Sequence, residues 1–196
     1  MNHRIQSFTK ALANVSRLRA ENDYEAAFKE AEDLLEAWKG NAHLHILRAR
    51  LIQLQEHPTS TLDDAKQALQ DAIDLDPSSP AAAIELGNFL DAVEDDPRAA
   101  SKVYTKALGQ ARRLLIEGLI GQAKALLQLE KRDEALRCVT ELLQLTHTSS
   151  ADKRSKSAGG PDIIMRSSTG KVSVIEVQGP YATEVEQLVN EVMATR

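Results

Sequence analysis

The chain has 196 residues, of which 42% are apolar, 27% are charged and 4% are aromatic. It is too apolar for a disordered chain, and no run approaches the ~18 to 20 apolar residues that cross a bilayer. A net charge of −5 does not predict a phosphate-binding surface, so nucleic acid is not an expected partner. The single cysteine excludes an intrachain disulfide framework and a multi-cysteine zinc site. Composition indicates a soluble, helical protein with an alanine- and leucine-rich core. The single Cys138 fits a reducing compartment, so we expect a cytoplasmic location, and no membrane partner is expected.

The first twenty residues are basic and contain no acid, a composition also found in organelle transit peptides. Apolar residues recur there at spacings of three and four, from Ile5 to Leu18. This period favours an amphipathic helix over about residues 5–20.

Four segments of the chain repeat one outline, in which an apolar helix, a polar turn and a second helix follow each other. The first helices are predicted at about residues 5–20, 42–55, 80–93 and 111–129. In the second helices one alanine recurs at steps of 38, 35 and 35 residues: Ala27, Ala65, Ala100 and Ala135. Self-similarity at this period is the signature of stacked helical repeats.

Each first helix also carries a small or medium residue at an equivalent position: Val15, Ala49, Gly87 and Ala123. A small residue where two helices cross lets their backbones approach, so we expect Gly87 to admit a neighbouring helix closely. Pro77 ends the second helix of the second repeat, since helices usually stop before proline.

These features resemble the tetratricopeptide repeat (TPR) family. The resemblance rests on the period of ~35 residues, the Asp-rich turn before an alanine-containing helix, Leu86-Gly87, and the run Ala72–Pro77. It covers about residues 5–146 and implies a mainly α fold, a TPR-like α-solenoid of about four helix-turn-helix repeats. The family's tryptophan is absent from every first helix, and the lone Trp38 ends a second helix. An array of helix pairs outside the family is the alternative.

The resemblance implies a concave groove, lined by the first helices, that holds an extended peptide or a helix of a partner protein. Ile46, Ile84 and Ile120 would form an apolar stripe in it; alternatively they are core residues. The predicted groove residues are His43, Ile46, Arg50, Gln53, Ile84, Asn88, Asp91, Glu117, Ile120, Lys124 and Leu127.

Chaperone-binding members of the family hold a partner's terminal carboxylates with Lys, Asn and Arg on successive first helices. At the corresponding positions this chain has Glu85, Glu117 and Gly121. Glutamates repel a carboxylate, so an acidic chaperone tail is not the expected ligand.

Neither a catalytic site nor a cofactor is expected within the repeats. His43 and His45 alternate on a helix and point apart, so they do not form a metal pair. No His-Glu-x-x-His run is present, and no Gly-rich phosphate loop follows a strand.

The last fifty residues differ in composition. Residues 147–160 form a polar linker, and 161–196 are predicted as a β-hairpin and a helix. The strands are expected at Asp162–Arg166 and Val172–Val177, with a turn containing Gly170 between them and a helix from Ala182 to Ala194. Such a small appendage must dock on the repeats, on another copy or on a partner.

The appendage resembles the PD-(D/E)xK restriction-endonuclease-like family in Pro161-Asp162 and Glu176-Val177-Gln178. This resemblance implies that Asp162 and Glu176 converge on Mg²⁺, with Gln178 in place of the lysine that positions the attacking water. The missing lysine and the missing further strands put an active nuclease in doubt.

The sequence predicts a non-catalytic adaptor or scaffold that binds a partner protein in the groove. Residues 161–196 would then cap the array or form a homo-oligomer. The alternative is an enzyme, a Mg²⁺-dependent nuclease-like unit, or its inactive form, using Asp162, Glu176 and Gln178.

Overall fold

The computed structural model describes residues 2–57, 59–148, 162–166, 172–176 and 180–194. The predicted mainly helical fold is confirmed. In chain order the elements are α1 Asn2–Ala20, α2 Tyr24–Ala37, α3 Ala42–Ile52, α4 Leu62–Leu75, α5 Pro80–Ala92, α6 Pro97–Gln128, α7 Arg132–Thr148, β1 Asp162–Arg166, β2 Val172–Glu176 and α8 Ala182–Ala194.

The turns inside the helix pairs repeat one backbone conformation. Asn22, Asp95 and Glu130 each lie five residues before an aligned alanine, and each has a positive φ, of 60°, 52° and 58°. A left-handed residue ends a helix and satisfies its last carbonyl groups, and Asn and Asp tolerate this conformation well. The same local chemistry therefore folds three of the four predicted pairs.

Helix starts are set by polar side chains that accept hydrogen bonds from free backbone N–H groups. Asn41 accepts from the N–H of His43 at 3.0 Å, and Asp23 accepts from that of Ala26 at 3.1 Å. At α4, Thr61 and Asp64 bond reciprocally in a capping box.

The chain forms two compact units, Met1–Ala111 and Arg112–Arg196. Their boundary falls within α6, whereas the sequence predicts one repeat domain over residues 5–146 and a separate appendage. The core of the first unit runs through α1–α5 and the first part of α6. Its aligned alanines, Ala27, Ala65 and Ala100, are at most 2% exposed, as expected where helices cross.

Gly87 on α5 marks a close approach of two helices in this core. A Cβ added there would lie 2.5 Å from Cε1 of Tyr104, on α6. The prediction that Gly87 admits a neighbouring helix is therefore confirmed, and the neighbour is an aromatic ring.

The core of the second unit joins the later part of α6 to α7 and α8. Val185, Leu188 and Val192 of α8 are at most 1% exposed. The Arg132 guanidinium donates to the carbonyl groups of Val192 and Met193, at 2.8 and 3.2 Å, and so satisfies the C-terminal end of α8.

Strands β1 and β2 pair antiparallel. The register runs from the pair Asp162–Glu176 at one end to the pair Arg166–Val172 at the other. Most of the predicted linker, residues 149–160, lies outside the described residues. The predicted turn between the strands and the end of the second strand at Val177 lie outside them as well.

The prediction of a separate fourth first helix over residues 111–129 is wrong, because α6 runs unbroken from Pro97 to Gln128. Between Ala107 and Leu114 the chain has no proline, aspartate or asparagine to stop a helix. The corresponding break after the second repeat has Asp76, two prolines and two serines. Gly109 alone does not end the helix.

Candidate protein-binding surface

His43 and Arg50, two of the predicted groove residues, lie on α3 of the first unit, and Gln53 directly follows this helix. His43 and Gln53 are exposed, and Arg50 is half-buried. The Gln53 amide donates to the carbonyl of Ala49 at 3.0 Å, which holds it against its own helix. His43 borders a shallow, open depression formed with Trp38 and Asp76.

The next first helix, α5, is joined to α3 by an ion pair between Arg50 and Glu85. The hydrogen bond to Glu85 raises the pKa of the Arg50 guanidinium above its usual value. Arg50 therefore stays charged, but its charge is already matched by a carboxylate. Side-chain exposures of 42% and 22% leave the pair within reach of solvent and of a partner.

Three further predicted residues, Ile84, Asn88 and Asp91, are exposed on α5. Ile84 is 41% exposed, an apolar side chain among polar ones. The Tyr104 hydroxyl donates to Oδ1 of Asn88 at 2.6 Å, so α6 positions this amide.

The predicted apolar stripe does not form. Ile46 and Ile120 are each 4% exposed and belong to the cores of the first and the second unit, while Ile84 alone remains open. On α3, Leu44, Ile46 and Leu47 are all buried, so α3 is covered on more than one side. A surface prediction from one helical face fails for such a helix.

The predicted residues on the second unit face α8. Glu117 accepts from the Tyr181 hydroxyl at 2.5 Å, and Lys124 forms an ion pair with Glu184. Leu127 is half-buried against the core of this unit. These side chains bind an element of their own chain, which corrects their assignment to an open groove.

The Tyr181 hydrogen bond has an electrostatic consequence. Because the phenol donates to a carboxylate, the pKa of Tyr181 is raised above its usual value, with neighbouring Glu184 adding to the effect. Tyr181 therefore stays neutral, and able to donate to Glu117, throughout the physiological range.

The nuclease-like residues find no support. The backbone register pairs Asp162 with Glu176, but Gln178 lies outside the described residues. Among the side chains that the structure describes, which do not include those of Asp162 and Glu176, no group of three metal-ligating residues is close enough to hold an ion. No family model matches the chain.

The chain is similar to a curated relative, an uncharacterised 18.1 kDa protein from the carS 3′ region of Myxococcus xanthus. It is 31% identical over 88 residues, which cover 40% of this chain and 52% of the relative. The chain thus spans about half the length of that relative.

Among solved structures, the chain is similar to MamA from residue 41 onward of Desulfovibrio magneticus RS-1, with TM-score 0.47, 24% identity, and coverage of 54% of this chain and 57% of that one. It is also similar to another MamA crystal structure, with TM-score 0.45, 16% identity, and coverage of 71% and 73%. A third is the second TPR of Spaghetti (RPAP3) bound to the HSP90 peptide SRMEEVD, with TM-score 0.42, 21% identity, and coverage of 53% and 94%. None of these scores reaches 0.5. The TPR-like description of this chain rests on its own repeated turns and buried alanines.

No helix in the described ranges is long and apolar enough to span a membrane. The sequence did not reveal the partners that fix the surface, namely Glu85, Tyr104, Tyr181 and Glu184. Tyr104 carried a signal, since it is the bulky residue four positions after an aligned alanine. No pattern in the sequence indicates that Lys124 pairs with Glu184, which lies 60 positions later.

Proposed function

We propose that the protein is a non-catalytic adaptor that binds a segment of a partner protein on the first unit. The first-helix face is defined here as the exposed side of α3 and α5 that carries His43, Arg50, Gln53, Ile84, Asn88 and Asp91. The observation that carries the proposal is the Arg50–Glu85 ion pair, which joins successive first helices across this face. The Tyr104–Asn88 hydrogen bond holds a further side chain in place. Side chains fixed before binding lose little entropy when a partner arrives.

The chemistry of the face suggests the class of partner segment. Ile84 offers an apolar contact, while Gln53 and Asn88 offer amides that pair with a backbone. Asp91 and Glu85 disfavour a string of acidic side chains. The Spaghetti structure holds a peptide with two adjacent glutamates; we propose a segment of different chemistry here, with an apolar anchor between uncharged or basic residues.

We assign α8 to capping the helix pair formed by the later part of α6 and α7. End repeats expose an apolar face that needs a cover, and Val185, Leu188 and Val192 are buried in this way within their own chain. If α8 caps its own unit, the side chains of Val185, Leu188 and Val192 are not available for self-association of residues 161–196. We therefore favour the capping role over self-association. A cytoplasmic location is part of the proposal, supported by the single cysteine, Cys138, which is buried.

The test compares partner capture by the full-length protein, by Ile84→Glu and by Thr105→Glu. Both substitutions add a charge at an exposed site, and Thr105 lies outside the first-helix face. We expect a specific partner to be kept by the wild type and Thr105→Glu and to bind Ile84→Glu at least about tenfold more weakly, a loss of about 1.4 kcal/mol. Equal affinity of the purified partner for all three proteins would contradict the proposal.

A further inference from the structure

Arg19, in the last turn of α1, lies on the side of its helix that corresponds to the first-helix face. It follows Val15, the aligned small residue of α1, by four positions. Gln53 and Asp91 follow the aligned small residues of the next two first helices by the same four positions. The repeat therefore places Arg19 in one row with these two residues of the first-helix face.

The guanidinium of Arg19 has no carboxylate partner within the part of the chain that the structure describes. The side chain is half-buried, and its Nε is buried without a hydrogen-bond acceptor. Arg17, two positions earlier, is by contrast paired with Glu21. An arginine stays charged, and a buried donor without an acceptor costs free energy. Arg19 is therefore a cation whose binding capacity its own chain leaves unused.

Asp91 places the opposite charge at the other end of this row. It is exposed on α5, and it takes part in no ion pair within the described ranges. Between the two ends, Gln53 is uncharged, and the charge of Arg50 is matched by Glu85. The surface therefore changes from positive on α1 to negative on α5, with matched charges between.

The distance between the two unmatched charges follows from the repeat. The Arg50–Glu85 ion pair joins α3 to α5, and α1 precedes α3 by one repeat. Packed helices lie about 8–10 Å apart, so two such steps separate Arg19 from Asp91 by ~16–20 Å. An extended chain rises ~3.3 Å per residue, so about five or six residues span this distance.

We propose that the partner segment carries an acidic residue that binds Arg19 and, about five or six positions away, a basic residue that binds Asp91. The inference rests on the proposed function, because it names the charge order of the segment that the first-helix face holds. Ile84 and Asp91 both lie on α5, so the apolar anchor is next to the basic residue. Charge complementarity selects this occupant, since Asp91 repels a wholly acidic segment and Arg19 a wholly basic one.

A displayed library of random twelve-residue segments, selected on the full-length protein, tests the charge order. We expect the enriched segments to combine one acidic and one basic residue at the stated separation, with an apolar residue near the basic one. Arg19→Glu should enrich segments with two basic residues, and Asp91→Lys segments with two acidic residues. The same charge pattern enriched by all three proteins would overturn the proposal.

Affinities of one enriched segment, measured by fluorescence anisotropy, give the size of each contact. Arg19→Glu and Asp91→Lys should each weaken its binding roughly fivefold to tenfold. Arg19→Gln removes the charge without reversing it and should weaken binding less, and circular dichroism verifies that each variant is folded. Lys10→Glu is the matched control, because it makes the same charge change at an exposed site two and a half helical turns before Arg19, on the opposite side of α1. It should bind as the wild type does.

The double variant Arg19→Glu/Asp91→Lys keeps the net charge of the wild type and reverses the charge order. It should bind a synthetic segment in which the acidic and basic residues are exchanged around the same apolar anchor, and it should reject the original segment. The wild type should show the opposite preference. A double variant that still prefers the original segment would contradict the assigned contacts.

Ile84→Glu separates this inference from the proposed function. Segments that lose binding to Ile84→Glu but have no preferred charge order would overturn the charge order and leave the adaptor role in place. Segments that bind Ile84→Glu as well as the wild type would instead contradict the first-helix face as the binding surface. A library from which no segment is enriched would count against both.

Discussion

Arg50 and Lys124 occupy equivalent positions, each directly after the aligned small residue of its first helix, and each pairs with a glutamate of the next packed helix. The partner of Arg50 is Glu85 on α5, and that of Lys124 is Glu184 on α8. Helix α8 thus takes the place beside α6 that α5 takes beside α3. Helix α8 therefore covers the fourth helix pair through the same kind of ion pair that joins α3 and α5.

The Arg50–Glu85 pair predicts a gain of function. Glu85→Gln removes the carboxylate that matches Arg50, so the first-helix face becomes more cationic. We expect measurable binding of a short peptide with two acidic residues, and weak or no binding by the wild type, in calorimetric titrations. Since the pair is partly exposed, unfolding free energy should change by no more than about 1 kcal/mol.

The control for this prediction is Glu94→Gln, which frees Lys66 from an exposed ion pair with an N–O distance of 2.8 Å. This pair lies away from the first-helix face. It changes the net charge equally and should leave peptide binding unaltered. Binding by both variants would indicate a general charge effect and count against a specific role for Arg50.

Replacing Gly87 by alanine is expected to change stability in the opposite direction to the same replacement at Gly109, another helical glycine. Gly87→Ala drives a methyl group into the Tyr104 ring, so unfolding free energy should fall by about 1–3 kcal/mol. Gly109→Ala, where nothing lies within 4 Å, should instead raise it by about 0.5–1 kcal/mol through better helix propensity. Urea denaturation of the two variants gives both values, and a loss at Gly109 equal to that at Gly87 would contradict the packing argument.

Gly87 also illustrates how much of the fold could be predicted from the sequence. The repeat period, the small residues at crossings and the turn before Pro80 follow from local chemistry, so the helix pairs of the first unit could be predicted. The continuity of α6 was missed, because the break before residue 111 was inferred from the repeat period, while Ala107–Leu114 has the local propensity of an uninterrupted helix.

The surface residues were predicted less well for a related reason. Ile46 and Ile120 share a helical face with exposed residues, and only the three-dimensional neighbours decide that they are buried. For Ile120 one of those neighbours is α8, a distant part of the chain. The contacts of Glu117 and Lys124 with α8 depend on the same long-range docking, which periodicity does not encode.

The docking of α8 predicts a loss of stability confined to the second unit. Leu188 is 1% exposed, so Leu188→Ala should lower the unfolding free energy of this unit by about 2–5 kcal/mol. The lone tryptophan, Trp38, lies in the first unit and contacts Phe8 with ring centroids 5.1 Å apart. Circular dichroism should therefore show an earlier transition while the tryptophan fluorescence transition stays in place.

Met193→Ala is the matched change at an exposed site of α8 and should shift neither transition appreciably, since Met193 is 47% exposed. Coincident loss of both signals in Leu188→Ala would show that the two units unfold together, contrary to the expectation.

The capping box of α4 predicts an acid-dependent contribution to stability. Hydrogen bonds from the backbone N–H and the hydroxyl of Thr61 lower the pKa of Asp64 below its usual value. A carboxyl group with a lowered native pKa stabilises the fold above its unfolded pKa, about 3.9, and this contribution disappears as pH falls through the native pKa. Asp64→Asn should thus flatten thermal stability between about pH 5 and pH 3, whereas Asp63→Asn, which leaves the box intact, should keep the wild-type slope.

Tyr181 predicts an alkaline counterpart in the second unit. Its pKa is raised by the hydrogen bond to Glu117, so the bond stabilises α8 docking fully below the unfolded tyrosine pKa, about 10, and is lost as pH rises through the native pKa. Glu117→Gln replaces the charged acceptor by a neutral one and should lower the pKa of Tyr181 towards its usual value, as followed by ¹³C NMR of labelled tyrosine. An unchanged Tyr181 titration would mean that the carboxylate of Glu117 is not its acceptor in solution, and the contact could not then help to hold α8 against α6.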